Sequence, residues 1–94
     1  MQVTLNFYAT FRQLTGQKAI VFEIEAPTQV LGLIQDVCAK YPALKSHLFE
    51  MDGSLQGHIH LFLNKRDITF LEDGLETLLR PGDTLDIFPP VGGG

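Results

Sequence analysis

Pro27-Thr28-Gln29-Val30-Leu31-Gly32-Leu33-Ile34-Gln35-Asp36-Val37-Cys38-Ala39-Lys40-Tyr41-Pro42 is the long stretch of this sequence with helical spacing. Val30, Leu31, Ile34, Val37, Cys38 and Tyr41 recur every three or four residues, which predicts about three turns of helix with one apolar face. Thr28 is placed to accept a hydrogen bond from an unpaired first-turn N–H, and Pro42 stops the helix.

On either side of this stretch the spacing changes to two. Val3, Leu5, Phe7, Ala9 and Phe11 alternate with Gln2, Thr4, Asn6, Tyr8 and Thr10, the pattern of a half-buried strand. After a turn at Gly16-Gln17, Ile20, Phe22 and Ile24 alternate again, so residues 2–25 read as a β-hairpin with a long connection. Beyond the helix, Leu44, Leu48 and Phe49 suggest a further helical turn, and residues 50–57 form a loop. Ile59, Leu61 and Leu63 mark a third strand, followed by a polar turn at residues 64–67 and a short fourth strand at Ile68–Phe70. Residues 74–79 read as irregular or briefly helical; Pro81-Gly82-Asp83 is a turn, and Leu85 and Ile87 belong to a last strand. Pro89-Pro90 then stops sheet pairing, because neither residue has an N–H to donate. Hairpin, helix, strand, short strand, strand is the order of an α+β domain, a sheet with one main helix packed across one face.

The chain has 94 residues, enough for one compact core but leaving little room for an internal active-site cavity. No apolar run is long enough to span a bilayer, and Met1 leads straight into a strand pattern, so a cytoplasmic location is expected, with no membrane partner. A single cysteine, Cys38, permits neither an internal disulfide nor the four thiolates of an iron–sulfur cluster. The net charge of −4 is unevenly placed: residues 1–66 carry six basic and five acidic groups, residues 67–94 six acidic groups and Arg80 alone. Nucleic acid is repelled by such a surface, and a basic protein partner engaging the C-terminal third is the better electrostatic fit.

If Val3, Leu5 and Phe7 face the helix, the pleat turns Tyr8, Phe62 and Phe88 outward. Three aromatic side chains of about 150–250 Å² each suit a protein-docking patch, with isolated exposure or cover by residues 74–79 as the alternatives. Next to it, residues 89–94 form a flexible tail outside the domain of residues 1–88. Pro89 and Pro90 make a straight stem, and Val91, Gly92, Gly93 and Gly94 a thin end able to enter a narrow channel. At about 3.3 Å per residue, that tail carries the terminal carboxylate about 20 Å from the sheet.

Three segments resemble a known family. Leu63-Asn64-Lys65-Arg66-Asp67-Ile68, the run from Pro81-Gly82-Asp83-Thr84-Leu85 through Phe88-Pro89-Pro90-Val91 to the glycines, and Phe7-Tyr8-Ala9-Thr10-Phe11-Arg12-Gln13-Leu14-Thr15-Gly16 are similar to the ubiquitin-like sulfur carriers of the MoaD/ThiS type, most closely the small subunit of molybdopterin synthase. The resemblance covers nearly the whole chain. It implies a β-grasp fold and a protein that is a co-substrate or non-catalytic subunit. A ubiquitin-activating-like adenylyltransferase would use ATP to adenylate the carboxylate of Gly94, and sulfur would then replace AMP to give a thiocarboxylate. Pro89, Pro90, Val91, Gly92 and Gly93 become the threaded stem; Tyr8 and Phe88 match family positions at partner interfaces. The implied acceptor is the molybdopterin synthase large subunit, in molybdenum cofactor biosynthesis, or another sulfur-accepting enzyme. The alternatives are a carrier for cysteine, thiamine or tRNA thiolation and a ubiquitin-like protein modifier. Gly92 fits the family's small residue before Gly-Gly, whereas Asp67 stands where some family members are apolar and the 50–57 loop exceeds that of the shortest ones.

Other constellations point elsewhere less well. His58 and His60 share a strand face, but no Cys/His cluster completes a metal site, and none is expected. Cys38 lies on the apolar stripe and reads as core. Lys65-Arg66 reads as a solvated turn, with Lys65 alternatively meeting a partner's carboxylates. Asp67, Glu72, Asp73, Glu76, Asp83 and Asp86 contain no spacing that singles out a catalytic dyad and read as an acidic docking surface. The glycines are too widely spaced to cradle a phosphate, so no bound cofactor is expected.

Overall fold

The structure, a computed structural model, describes residues 1–90. In chain order it comprises β1 (Gln2–Phe7), α1 (Thr10–Thr15), β2 (Ala19–Glu23), α2 (Val30–Lys40), α3 (Lys45–Leu48), β3 (His60–Leu63), β4 (Arg66–Asp67) and β5 (Thr84–Phe88). Single 3-10 turns occupy Pro42–Leu44, Ile68–Phe70 and Gly74–Glu76.

The strands form one mixed sheet in the order β2-β1-β5-β3-β4. Alternation sets one face of it: Val3, Leu5 and Phe7 of β1 and Leu85 and Ile87 of β5 are all at most 1% exposed. They meet Val30, Leu33, Ile34 and Val37 of α2, each fully buried. β1 and β5 run parallel, Leu5 beside Leu85 and Phe7 beside Ile87, while every other pairing is antiparallel. Parallel neighbours need a crossover connection, which the chain between β1 and β5 supplies with α2 lying on one face. A mixed five-strand sheet clasping one helix is the β-grasp arrangement that the resemblance implied.

Several local expectations are corrected. β1 stops at Phe7; Tyr8 and Ala9 turn the chain, and Thr10 and Phe11 open α1 instead of extending the strand. Phe11 is nonetheless 1% exposed, because Phe11 and Leu14, three residues apart on α1, turn one face to the core, and short apolar runs fit both periods. Gly16 closes α1 in the left-handed conformation (φ 70°), its N–H donating to the Arg12 carbonyl at 2.9 Å. In α2 the buried stripe includes Leu33 in place of Leu31, which is only half-buried. Thr28 does not cap α2; its hydroxyl donates to the Glu25 carbonyl. The first-turn N–H of Val30 donates instead to the Thr77 carbonyl (3.0 Å), and Leu79 N–H donates to the Thr28 carbonyl (2.9 Å). The 74–79 segment thus ties down the start of α2, away from the outer sheet face.

The end of β3 differs as well. Ile68–Phe70 is a 3-10 turn, capped by the Asp67 carboxylate, and the edge strand is Arg66–Asp67. Only Asn64 and Lys65 make the hairpin turn, with φ of 51° and 72°. Two successive left-handed residues are what a two-residue hairpin needs to match the strand twist. Asn64 tolerates this and uses its side chain: Nδ2 donates to Asp83 Oδ1 (2.9 Å), and Oδ1 accepts from Thr84 N–H (3.0 Å). Lys65 occupies the second position, where glycine is the ordinary choice.

Candidate functional site

The outer face of the sheet follows from the register. Asn6 lies beside Asp86, Asp86 opposite Phe62, and His60 opposite Phe88, so these side chains stand on the face away from α2. Tyr8, just past β1, joins them. Its ring stacks on Phe88 with centroids 4.1 Å apart and planes at 15°, and Phe62 meets Phe88 edge-on at 5.5 Å and 85°. The three aromatics named from the sequence are therefore one cluster, each half-buried. Residues 74–79 do not cover it, since they lie at the start of α2.

The cluster lines a groove of about 570 Å³ together with Ala9, His60, Pro89 and Pro90. This places the aromatic patch against the first two residues of the tail. Val91, Gly92, Gly93 and Gly94, to which the reactive carboxylate and the rest of the stem were assigned, lie outside the described residues.

Ala9, on the groove's rim, has φ 52° and ψ −123°. Phe11 N–H donates to the Tyr8 carbonyl at 3.1 Å, so residues 8–11 form a type II′ turn with Ala9 where glycine is favoured. Arg12 follows one turn on. Its Nε donates to the Phe7 carbonyl (3.2 Å), and its guanidinium carbon lies 5.8 Å from the Tyr8 ring centroid, a cation–π distance.

Asp86 departs most from the sequence reading. It is 3% exposed, the one buried charged side chain among the described residues, and not part of an open acidic surface. Asn6 Nδ2 donates to its Oδ1 at 2.7 Å, and Lys65 Nζ stands 3.6 Å from its Oδ2. Lys65 is therefore no free turn residue. The signal that finds this trio is topological: Asn6 and Asp86 meet because β1 and β5 are parallel neighbours.

The remaining titratable groups play other parts. Asp67 is held below the usual carboxylate range because Thr69 N–H and Thr69 Oγ1 donate to it, at 2.9 and 2.8 Å. Cys38 is buried, and desolvation raises its thiol above the ordinary value. Among the described residues no three His, Cys, Asp or Glu side chains converge as a metal site, and no helix is long and apolar enough to cross a membrane.

Comparison with known proteins fits this geometry to a family. The ThiS family matches residues 5–94. The chain is 37% identical to small archaeal modifier protein 3 of Haloferax volcanii over 94 residues, all of both chains. Among solved structures it is similar to SAMP1 from Haloferax volcanii, with a TM-score of 0.89 at 26% identity over all of both chains. It is also similar to a chain of the Amycolatopsis orientalis BexX/CysO complex, with a TM-score of 0.77 at 33% identity over 98% of this chain and 99% of that one.

Proposed function

The chain belongs to the ThiS family of ubiquitin-like sulfur carriers, and on that premise we propose that it carries sulfur on its own C-terminus, as a thiocarboxylate of Gly94. The carboxylate oxygen of Gly94 attacks the α-phosphorus of ATP, and pyrophosphate leaves. Hydrosulfide then attacks the acyl carbon, the C–O bond to AMP breaks, and loss of the sulfur-bound proton to solvent leaves the thiocarboxylate. A carboxylate is a poor acyl donor until it is converted to such an anhydride, which is why the activation step is needed. ATP and the catalytic groups belong to a ubiquitin-activating-like adenylyltransferase; this chain supplies a substrate and no catalyst. Pro89, Pro90, Val91, Gly92 and Gly93 form the threaded stem, and glycine gives it the narrowest cross-section a chain can have.

The observation that carries this reading is the continuity of the aromatic groove with the stem. Tyr8, Phe62 and Phe88 lead directly onto Pro89 and Pro90, so an enzyme gripping this face is positioned to draw in the tail. The sulfur acceptor we assign is a molybdopterin synthase large subunit, on the likeness of the Pro81–Pro90 region and the hairpin before it to that family's small subunits. A second reading, conjugation of Gly94 to lysines of other proteins, is favoured by the 37% identity to small archaeal modifier protein 3.

Mass spectrometry after incubation with the activating enzyme, ATP and a sulfur donor tests the proposal. A gain of about 16 Da, sulfur for oxygen, supports the carrier; conjugates of higher mass support the modifier; an unchanged mass beside an enzyme active on another carrier defeats both. Deleting Gly94 is expected to abolish the gain without altering the unfolding midpoint.

A further inference from the structure

Asp86 combines two properties seldom found together: it is 3% exposed, yet it has acceptor capacity left over. An ionised carboxylate has about four acceptor positions. One is filled by Asn6 Nδ2 at 2.7 Å, and the Lys65 ammonium at 3.6 Å stands beyond hydrogen-bond length from Oδ2. The carboxylate faces a small cavity of about 210 Å³ whose other walls are Tyr8, Phe62, Phe88 and the Lys65 stem. Charge at the bottom and rings at the sides suit a planar cation, which pairs with the carboxylate through two N–H groups and stacks on the aromatic faces. The Tyr8 ring already carries one guanidinium, that of Arg12, at 5.8 Å.

We propose that this cavity is a receptor for an arginine side chain of a partner protein, with Asp86 as its anion and Lys65 as the intramolecular cation that the arginine displaces. Lys65 suits a displaceable role. Its side chain is 81% exposed, and its ion pair is longer than a hydrogen bond. Its backbone has φ 72° in a turn position that favours glycine, so lysine stands there against the local preference. Net charge favours the same occupant, since residues 67–94 carry six acids against one arginine. The inference rests on the outer face being the docking face. It does not depend on sulfur chemistry, so failure of Gly94 activation leaves it standing and its own failure leaves the carrier reading intact.

The test is NMR titration of the full-length protein with N-acetyl-arginine amide, using N-acetyl-citrulline amide as the uncharged isostere. The arginine probe is expected to shift the amides of Phe62, Asp86 and Phe88, and citrulline to leave them nearly still. Asp86→Asn keeps an acceptor for Asn6 but removes the anion, and is expected to weaken arginine binding about tenfold, the size of one charge-assisted hydrogen bond. Lys65→Ala removes the competitor and is expected to tighten it, by up to about fivefold for an exposed pair. Equal shifts from the two probes, or weaker binding in Lys65→Ala, would overturn the proposal. Since Lys65 is exposed, that variant decides the matter even if Asp86→Asn unfolds.

Discussion

Replacing Ala9 with glycine is expected to stabilise the protein, although glycine substitutions ordinarily do the reverse. At φ 52° and ψ −123°, Ala9 sits at the first central position of a type II′ turn, where a Cβ crowds the backbone. A non-glycine residue in such a region costs about 1–3 kcal/mol. Glycine removes that strain but gives the unfolded chain more freedom, a loss of about 0.4–1 kcal/mol. The difference leaves a gain between about 0 and about 2.6 kcal/mol, centred a little above about 1 kcal/mol. For a domain of this size, about 1 kcal/mol corresponds to about 4–8 °C in Tm. Urea unfolding followed by far-UV circular dichroism gives the number directly, since a change in midpoint at constant m-value is a change in stability. Ala9→Val, which adds β-branching to the same backbone, is expected to move the midpoint the other way. A lower midpoint for Ala9→Gly would mean that residues 8–11 do not form this turn, and the position of Tyr8 against Phe88 would need another explanation.

Three further outcomes follow from burial and hydrogen bonding. Leu33→Ala, at a fully buried position on α2, is expected to cost about 2–5 kcal/mol in urea unfolding, and Leu31→Ala, half-buried one position outside the stripe, clearly less. Asp67 has a folded carboxyl below its ordinary value, so its contribution to stability is complete above that ordinary value and lost as pH falls through the depressed one; acid unfolding of Asp67→Asn is expected to lack that component of the pH dependence. Cys38, with a buried thiol held above its ordinary pKa, is expected to react with iodoacetamide many times more slowly in the native protein than in urea; equal rates would contradict its place in the core.

The parts of the fold that repeat within a few residues were legible, and those that depend on distant pairing were not. The stripe of α2 and the alternation of β1, β3 and β5 are local periodicities, so the one-helix sheet could be read from them. The misreadings sit where one period imitates another or where a turn is short. Phe7 and Phe11 fit a strand and a helix equally, and the choice fell to Ala9, whose backbone leaves the strand with a positive φ. At residues 64–67 the polarity was plain, but a two-residue hairpin that leaves Arg66 and Asp67 in a strand depends on Asn64 and Lys65 both adopting left-handed backbone.

The candidate site divides along the same line. Phe62 and Phe88 could be placed on one face because each strand's pleat announces its own outward residues and burial of the opposite face fixes the register; Tyr8, one residue past β1, joins them by stacking on Phe88. Asp86 gives no such signal. In the sequence it is one of six acids in a charged stretch, and solvated charge is what that composition ordinarily means. Its burial is decided by a neighbour 80 residues away, because only the parallel pairing of β1 with β5 brings Asn6 to within 2.7 Å. The carboxylate must then find compensation near at hand or be costly, and the turn after β3 delivers Lys65 to it. A residue that reads as surface charge thus becomes a buried anion beside the aromatic groove.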